Sequence, residues 1–279
     1  MIEQLRQRAR ELLGEGTVAL VIGYGRGNSP QATFPVFIKK ADEVDRLVFN
    51  PFCRNNLAVY LTRKDIMPKG AVGLVARPEE VRSVAVLVQE QQFDPDKVVL
   101  IGVACAEPGK EGAACEMLKG RTLKELEAEV AERLKGRDPA QEVAAKVQEL
   151  EAMTPEQRLA FWEKEFSRCI RCYACRQACP MCYCERCIVE KNQPQWIPSS
   201  PRPLGNYFWN VIRAFHLAGR CIGCGACARA CPMGIPLDLL NAKVAREVKE
   251  SFAYEAGFDH EVPPPMASFR TDDEQEFIK

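Results

Sequence analysis

The sequence predicts an α/β domain with a mainly parallel sheet over residues 1–118 and a helical connector over 119–165. An all-α, cysteine-rich domain over 166–250 and a C-terminal tail over 251–279 complete the chain. Three observations carry this division. Apolar, β-branched runs alternate with helical patterns in the first part, capping signals crowd the middle, and eleven of the fourteen cysteines fall between positions 169 and 231.

Composition narrows the function classes. Lys plus Arg equals Asp plus Glu at 38 each, so no net basic field attracts nucleic acid or anionic lipid. The start, Met1 to Arg6, has no apolar signal core, and no run approaches the roughly 18 apolar residues of a membrane span. A cytoplasmic protein that binds neither nucleic acid nor membrane is expected.

Residues 3–13 read as a charged helix ended by Gly14 and Gly16. Thr17 to Ile22 is a continuous apolar run entering the glycine turn Gly23-Tyr-Gly25-Arg-Gly27, and reads as a buried strand. Such a turn can bring backbone close to a phosphate. Here Ser29-Pro30 follows in place of a helix, which departs from the dinucleotide fingerprint and favours a plain turn. Pro35–Lys39 reads as a second strand, and 41–49 and 54–63 read as helices. Ala71–Ala76 and Val98–Val103 read as strands bracketing a helix at Glu79–Gln91, a pattern that predicts a right-handed crossover and parallel pairing. Cys105 follows the last strand at the carboxyl edge, where open α/β sheets place their sites.

Thr122-Leu-Lys-Glu125 is a capping box whose helix aligns Leu123, Leu126, Val130 and Leu134. Asp138-Pro139 and Thr154-Pro155 each set a capping residue before proline at the first helical position. Further helices are predicted at 161–168, 207–218 and 237–248, while the prolines at 194, 198, 201 and 203 make 193–204 extended. In the tail, Pro263-Pro-Pro and the acidic run from Thr271 suit either a docking arm or a loose end.

The cysteine spacing is the most specific signal. Cys169, Cys172, Cys175 and Cys179-Pro180 repeat as Cys221, Cys224, Cys227 and Cys231-Pro232, so C-x2-C-x2-C-x3-C-P occurs twice. Three thiolates two residues apart wrap one cubane, and the fourth, beside a proline, reaches the other cluster. One 4Fe–4S cluster is therefore expected on Cys169, Cys172, Cys175 and Cys231, and a second on Cys221, Cys224, Cys227 and Cys179. Zinc sites favour two separated pairs, and disulfides do not survive in reducing cytoplasm. Cys182, Cys184 and Cys187 are candidates for a third site, iron–sulfur or zinc, with Cys53, Cys105 or Cys115 as its further ligand. The simpler alternative is that one of the three replaces Cys179 and the others are spare. His216, with a full cysteine complement beside it, reads as packing rather than ligand.

The helical flanks of the motifs resemble the all-helical dicluster ferredoxin domain of heterodisulfide reductase and succinate dehydrogenase. The whole chain resembles the family related to the beta subunit of deazaflavin-coenzyme-reducing hydrogenases and dehydrogenases. That resemblance rests on Gly16 to Gly25, Leu47 to Tyr60, Val99 to Cys105, Cys169-Ile-Arg-Cys-Tyr-Ala-Cys-Arg176 and His216-Leu-Ala-Gly-Arg-Cys221. It implies an electron-carrying subunit of an anaerobic redox complex. The implied partners are a flavin-containing, heterodisulfide-reductase-like subunit and a hydrogenase, formate dehydrogenase or methylene-tetrahydrofolate reductase. Some relatives bind flavin and reduce the deazaflavin, so FAD in the first domain is the alternative reading, and a non-catalytic metal-binding assembly protein or sensor is a third. Similar sequences often carry Gly-Cys-Asp after the strand at 71–76, whereas this chain reads Arg77-Pro78-Glu79, which removes a ligand there.

Overall fold

The structure is a computed structural model that describes residues 1–29, 31–135, 141–191 and 193–265. Pro30, the Asp138-Pro139 capping signal and the acidic run from Thr271 lie outside the described residues. Helix α1 (Ile2–Gly14) buries Leu5, Ala9 and Leu12, one stripe at helical spacing, and packs on strand β1 (Leu20–Arg26). β2 (Thr33–Ile38), β3 (Val72–Ala76), helix α2 (Pro78–Gln89), β4 (Val98–Cys105) and β5 (Cys115–Met117) follow.

The five strands form one mixed sheet in the order β2-β1-β3-β4-β5. β1, β3 and β4 run parallel, as the strand–helix–strand pattern predicts, with Leu20 opposite Val72 and Val72 opposite Val98. The two outer strands correct the expectation of a mainly parallel sheet, because both pair antiparallel. The reason is loop length: residues 27–32 and 106–114 are too short for a crossover, and a hairpin is what such a link permits. Gly25 is required by packing within the first hairpin, since a Cβ there would meet Val36 Cγ1 at 2.3 Å. The glycine run thus serves strand pairing.

The helices predicted at 41–49 and 54–63 are also corrected. Only short 3-10 turns form, at Ala41–Arg46 and Leu57–Tyr60. Between them Pro51 interrupts the backbone ladder, Asn56 accepts from the N–H of Ala58 in place of a helical partner, and the carbonyl of Asn55 accepts from Tyr24 and Arg77.

Helix α3 (Leu123–Leu134) packs on α2 and carries the predicted capping box, with Thr122 accepting from Glu125 N and Glu125 from Thr122 N. Helices α4 (Gln141–Ala152), α5 (Pro155–Ser167), α6 (Ala174–Gln177), α7 (Pro203–His216), α8 (Ala226–Arg229) and α9 (Leu237–Phe252) make the second half. α4 packs on α9, α5 on α7 and α6 on α8. Residues 193–202 hold no helix or strand, and Pro203 opens α7.

One core joins the halves. Met181, Leu217, Ile222, Val248, Tyr254 and Ala256 belong to the same buried cluster as the sheet residues Ile22, Leu74 and Ile101. Burying each large aliphatic contributes about 1.5–3 kcal/mol. After α9 the chain returns to the first half, where Arg82 donates to the carbonyl of Ala256 (2.8 Å) and His260 N to Glu127 Oε1 (3.0 Å). Among the described residues no helix is long and apolar enough to cross a membrane.

Candidate metal centre

The two cysteine motifs fold alike. In each, a loop turns through two left-handed residues before a four-residue helix: Arg171 (φ 56°) and Tyr173 (φ 61°) in the first, Gly223 (φ 72°) and Gly225 (φ 66°) in the second. Alternation of this kind makes a concave nest of amides suited to an anionic group. A non-glycine residue in that region costs about 1–2 kcal/mol. At the first motif the side chains compensate: Tyr173 meets Trp209 edge-on at 4.9 Å, and the Arg171 guanidinium lies 5.1 Å from the same ring and donates to Gly205 O at 2.9 Å.

Packing of α6 on α8 brings the motifs together. Cys169, Cys172, Cys175 and Cys231, three from one motif and one from the other, line a single cavity closed by Trp209, Ile235 and Leu237. Cys175 and Cys227 are buried, Cys172 is exposed, and the remaining motif thiols are half-buried. Phe166, fully buried and stacked with Trp162, packs against Cys175 and Cys227.

Burial pushes the Cys175 thiol up to about 11 and the Cys221 thiol up to about 12. Thiolates at these positions therefore need a cation, which a bound metal centre supplies. The polar groups around them fit the same conclusion. Asn241 Nδ2 donates to Cys227 Sγ at 3.4 Å, Asn206 Nδ2 donates to Cys169 O at 2.7 Å, and Arg213 Nη2 donates to Cys175 O at 3.2 Å. Hydrogen bonds to sulfur and buried charge are the means by which a protein tunes an iron–sulfur group. The residues present fit such a group.

The structure distributes the other cysteines differently. Cys182 lies within hydrogen-bonding reach of Cys179: the Cys179 thiol donates, which raises it, and Cys182 is correspondingly lowered with help from Arg213. Cys184 is exposed and Cys187 half-buried. Among the described residues, the one group of three His, Cys, Asp or Glu ligand atoms within 4.8 Å of one another is Glu127, Asp259 and His260. Cys105 and Cys115, named as further ligands, are joined in a disulfide between register partners of β4 and β5, with Cα atoms 4.0 Å apart. Cys53 is buried in the first-half core against Asn50. For Cys105 and Cys115, antiparallel pairing at the sheet edge sets the two side chains on one face. His216 ends α7 and is exposed.

Sequence reasoning missed the polar stripe on α7. Asn206, Asn210 and Arg213 recur at helical spacing and are all buried against the motifs. The available signal was three polar residues on one face of an otherwise apolar helix. The departure at Arg77 also acquires a role, because Arg77 is buried and pairs with Glu80 at 2.7 Å.

Residues 168–236 match the sequence family described as the 4Fe-4S dicluster domain, so the chain carries such a domain. The chain is 39% identical over 106 residues to the F420-dependent formate dehydrogenase subunit beta of Methanocaldococcus jannaschii, covering 37% of this chain and 27% of that one. It is 28% identical over 105 residues to the F420-dependent formate dehydrogenase 1 subunit beta of Methanococcus maripaludis, covering 38% and 26%. The chain thus spans about a quarter of the length of the curated relatives it matches, at 27% and 26%. The resemblance to beta subunits of deazaflavin-coenzyme dehydrogenases is thereby shared with curated proteins.

Proposed function

We propose that this chain, with its 4Fe-4S dicluster domain, is an electron-transfer subunit of an oxidoreductase complex that passes single electrons through two 4Fe–4S clusters. In this reading Cys169, Cys172, Cys175 and Cys231 hold one cluster, and Cys221, Cys224, Cys227 and Cys179 hold the other. The observation that carries it is the cavity lined by four thiols drawn from both motifs. When bound, the clusters supply one-electron chemistry; the chain's own groups bind, orient and shield. Phe166 and Trp209 exclude water from the inner side, and Asn241 donates to a ligand sulfur.

The outer edge is the place for electron entry or exit. Cys172 is exposed and its neighbour Ile170 is 52% exposed beside the cavity. A flavin-containing subunit in a cytoplasmic, anaerobic assembly with a formate dehydrogenase or hydrogenase is the partner that the relatives suggest. The glycine run of the first half forms a hairpin between β1 and β2, which supports placing the flavin on the partner.

The test is the iron, labile sulfide, zinc and flavin content of protein purified without oxygen, with electron paramagnetic resonance of the reduced sample. About eight irons and matching sulfide are expected, four for each cluster. Zinc without labile sulfide overturns the reading. About twelve irons would instead place a third cluster at Cys182, Cys184 and Cys187.

A further inference from the structure

We propose that Cys105 and Cys115 form a reversible thiol–disulfide site, a two-electron couple at the sheet edge whose reactant is a small thiol or its disulfide. The inference goes beyond the one-electron reading above and does not depend on it.

Cys105 ends β4 and Cys115 opens β5, and the two are register partners joined in a disulfide. They are the exception in the chain, because the other twelve of its fourteen cysteines form no disulfide. Where thiols otherwise stay reduced, a disulfide is of the kind that cycles in catalysis or sensing. The location suits that role. β4 is one of the three parallel strands, and its carboxyl end is the edge at which open α/β sheets hold their ligands. β5 is the outermost strand on that side of the sheet. Both cysteines are half-buried, and the link between them is exposed at Glu107, Pro108, Lys110 and Glu111. A small thiol can therefore reach the sulfurs, as exchange requires.

The fold does not depend on the bond. A disulfide gains most as a staple when it closes a long loop, and here the two ends are ten residues apart. Backbone hydrogen bonds already fix the hairpin: Ala106 N donates to Ala114 O at 2.9 Å, and Leu118 N donates to Gly102 O at 2.9 Å. The tip is anchored as well, since Gly109 N donates to Pro51 O at 2.7 Å. None of these contacts involves sulfur. The reduced pair therefore stays in register and can close again.

The exchange balances within sulfur chemistry. A thiolate of the small thiol attacks one sulfur, and a mixed disulfide forms as the Cys105–Cys115 bond breaks. A second thiolate attacks that mixed disulfide, leaves as the small disulfide and returns both cysteines to thiols. Two electrons and two protons pass from two small thiols to the pair, and the reverse reaction consumes the small disulfide.

The experiment uses full-length holoprotein purified without oxygen and held in glutathione buffers of stepped reduced-to-oxidised ratio, then alkylated and digested with trypsin. Cleavage after Lys97, Lys110 and Lys119 puts the cysteines on separate peptides, 98–110 and 111–119, which mass spectrometry finds joined or apart. The joined fraction is expected to fall about tenfold between oxidised glutathione and about a hundredfold excess of the reduced form, and to return on reoxidation. Cys115→Ser is expected to keep wild-type iron and to carry glutathione on Cys105 in the oxidised buffer, because no second thiol resolves the mixed disulfide. Native protein with the peptides joined at every ratio has a permanent staple, and peptides apart at every ratio mean that no bond forms; either result overturns the proposal. So does C115S with Cys105 uncapped, or with about four irons fewer, which makes Cys115 a cluster ligand. If C115S does not fold, the wild-type titration decides alone. Iron is measured in the same wild-type sample, so its absence overturns the iron–sulfur reading while the peptides still decide the thiol couple.

Discussion

Replacing Glu80 by Gln should destabilise the first half by about 3–5 kcal/mol, the cost of removing one partner from a buried ion pair. Glu80 is fully buried, and its carboxylate accepts five hydrogen bonds: from Tyr24 Oη (3.0 Å), Leu57 N (3.1 Å), and Arg77 N (3.0 Å), Nε (2.9 Å) and Nη2 (2.7 Å). Burial pushes its carboxyl above the ordinary range and Arg77 pulls against that. Glutamine keeps the shape but loses the charge, and its amide N–H groups must face donors on one side. At least two N–H groups are then orphaned, at about 1–3 kcal/mol each, which reaches the same range. The assay is urea unfolding without oxygen, with hydrogen exchange at Leu57 and Arg77 as the local readout. The double variant Arg77→Met with Glu80→Leu should recover most of the loss, because an apolar pair of similar volume is often neutral relative to a buried ion pair. A loss under 1 kcal/mol in E80Q, or a double variant no better than the single, would refute the reasoning.

Four further outcomes are expected. Gly223→Ala should cost about 1–2 kcal/mol from the left-handed backbone alone, since φ is 72° and nothing lies within 4 Å of the added Cβ. Gly225→Ala should cost more, because φ is 66° and Arg229 Nη1, at 2.8 Å, must also move; thermal melts of both holoproteins compare them. Phe166→Ala should cost about 3–5 kcal/mol and release iron, since the ring is fully buried against Cys175 and Cys227; retained iron at full stability would contradict that packing role. The N–H groups of Arg121 and Thr122 hold the Glu125 carboxyl below its ordinary value of 4.5. A depressed folded value means the contribution is present above the unfolded value and lost as pH falls through the folded one. Hydrogen exchange at the start of α3 should therefore differ between wild type and Glu125→Gln at neutral pH and converge in acid.

What could be read in the sequence was local. The capping box at Thr122, the capping Thr154 before Pro155 and the runs of β3 and β4 each contain their own cause within a few residues, and all of them formed. The sheet edges were not local: whether Pro35–Ile38 pairs parallel or antiparallel depends on the six-residue link before it and on which edge of β1 is free. The stretch from Ala41 to Tyr60 carries helical composition, yet Pro51 breaks the ladder, Asn56 caps locally on Ala58 N, and the Asn55 carbonyl is taken by the tertiary donors Tyr24 and Arg77. At the candidate site the spacing of the motif cysteines named the candidate ligands, while Arg213 and Asn241 became meaningful only when α7 and α9 were packed over the motifs. The Cys105–Cys115 link was hidden for a related reason, since it requires a three-residue strand that has no sequence signature of its own.

The seam between the halves bears on how such a chain can be rearranged. Met181 and Ile222 come from within or beside the cysteine motifs, yet they sit among the side chains that cover the sheet. A fragment cut near residue 165 would carry an oily scar on each piece, and the cysteine-rich piece would lose the backing that keeps its loops in register. Grafting it onto another protein as a ready-made cassette would need a replacement for that backing. The sheet and the cysteine-rich end share one core, so a graft that keeps its stability has to carry both.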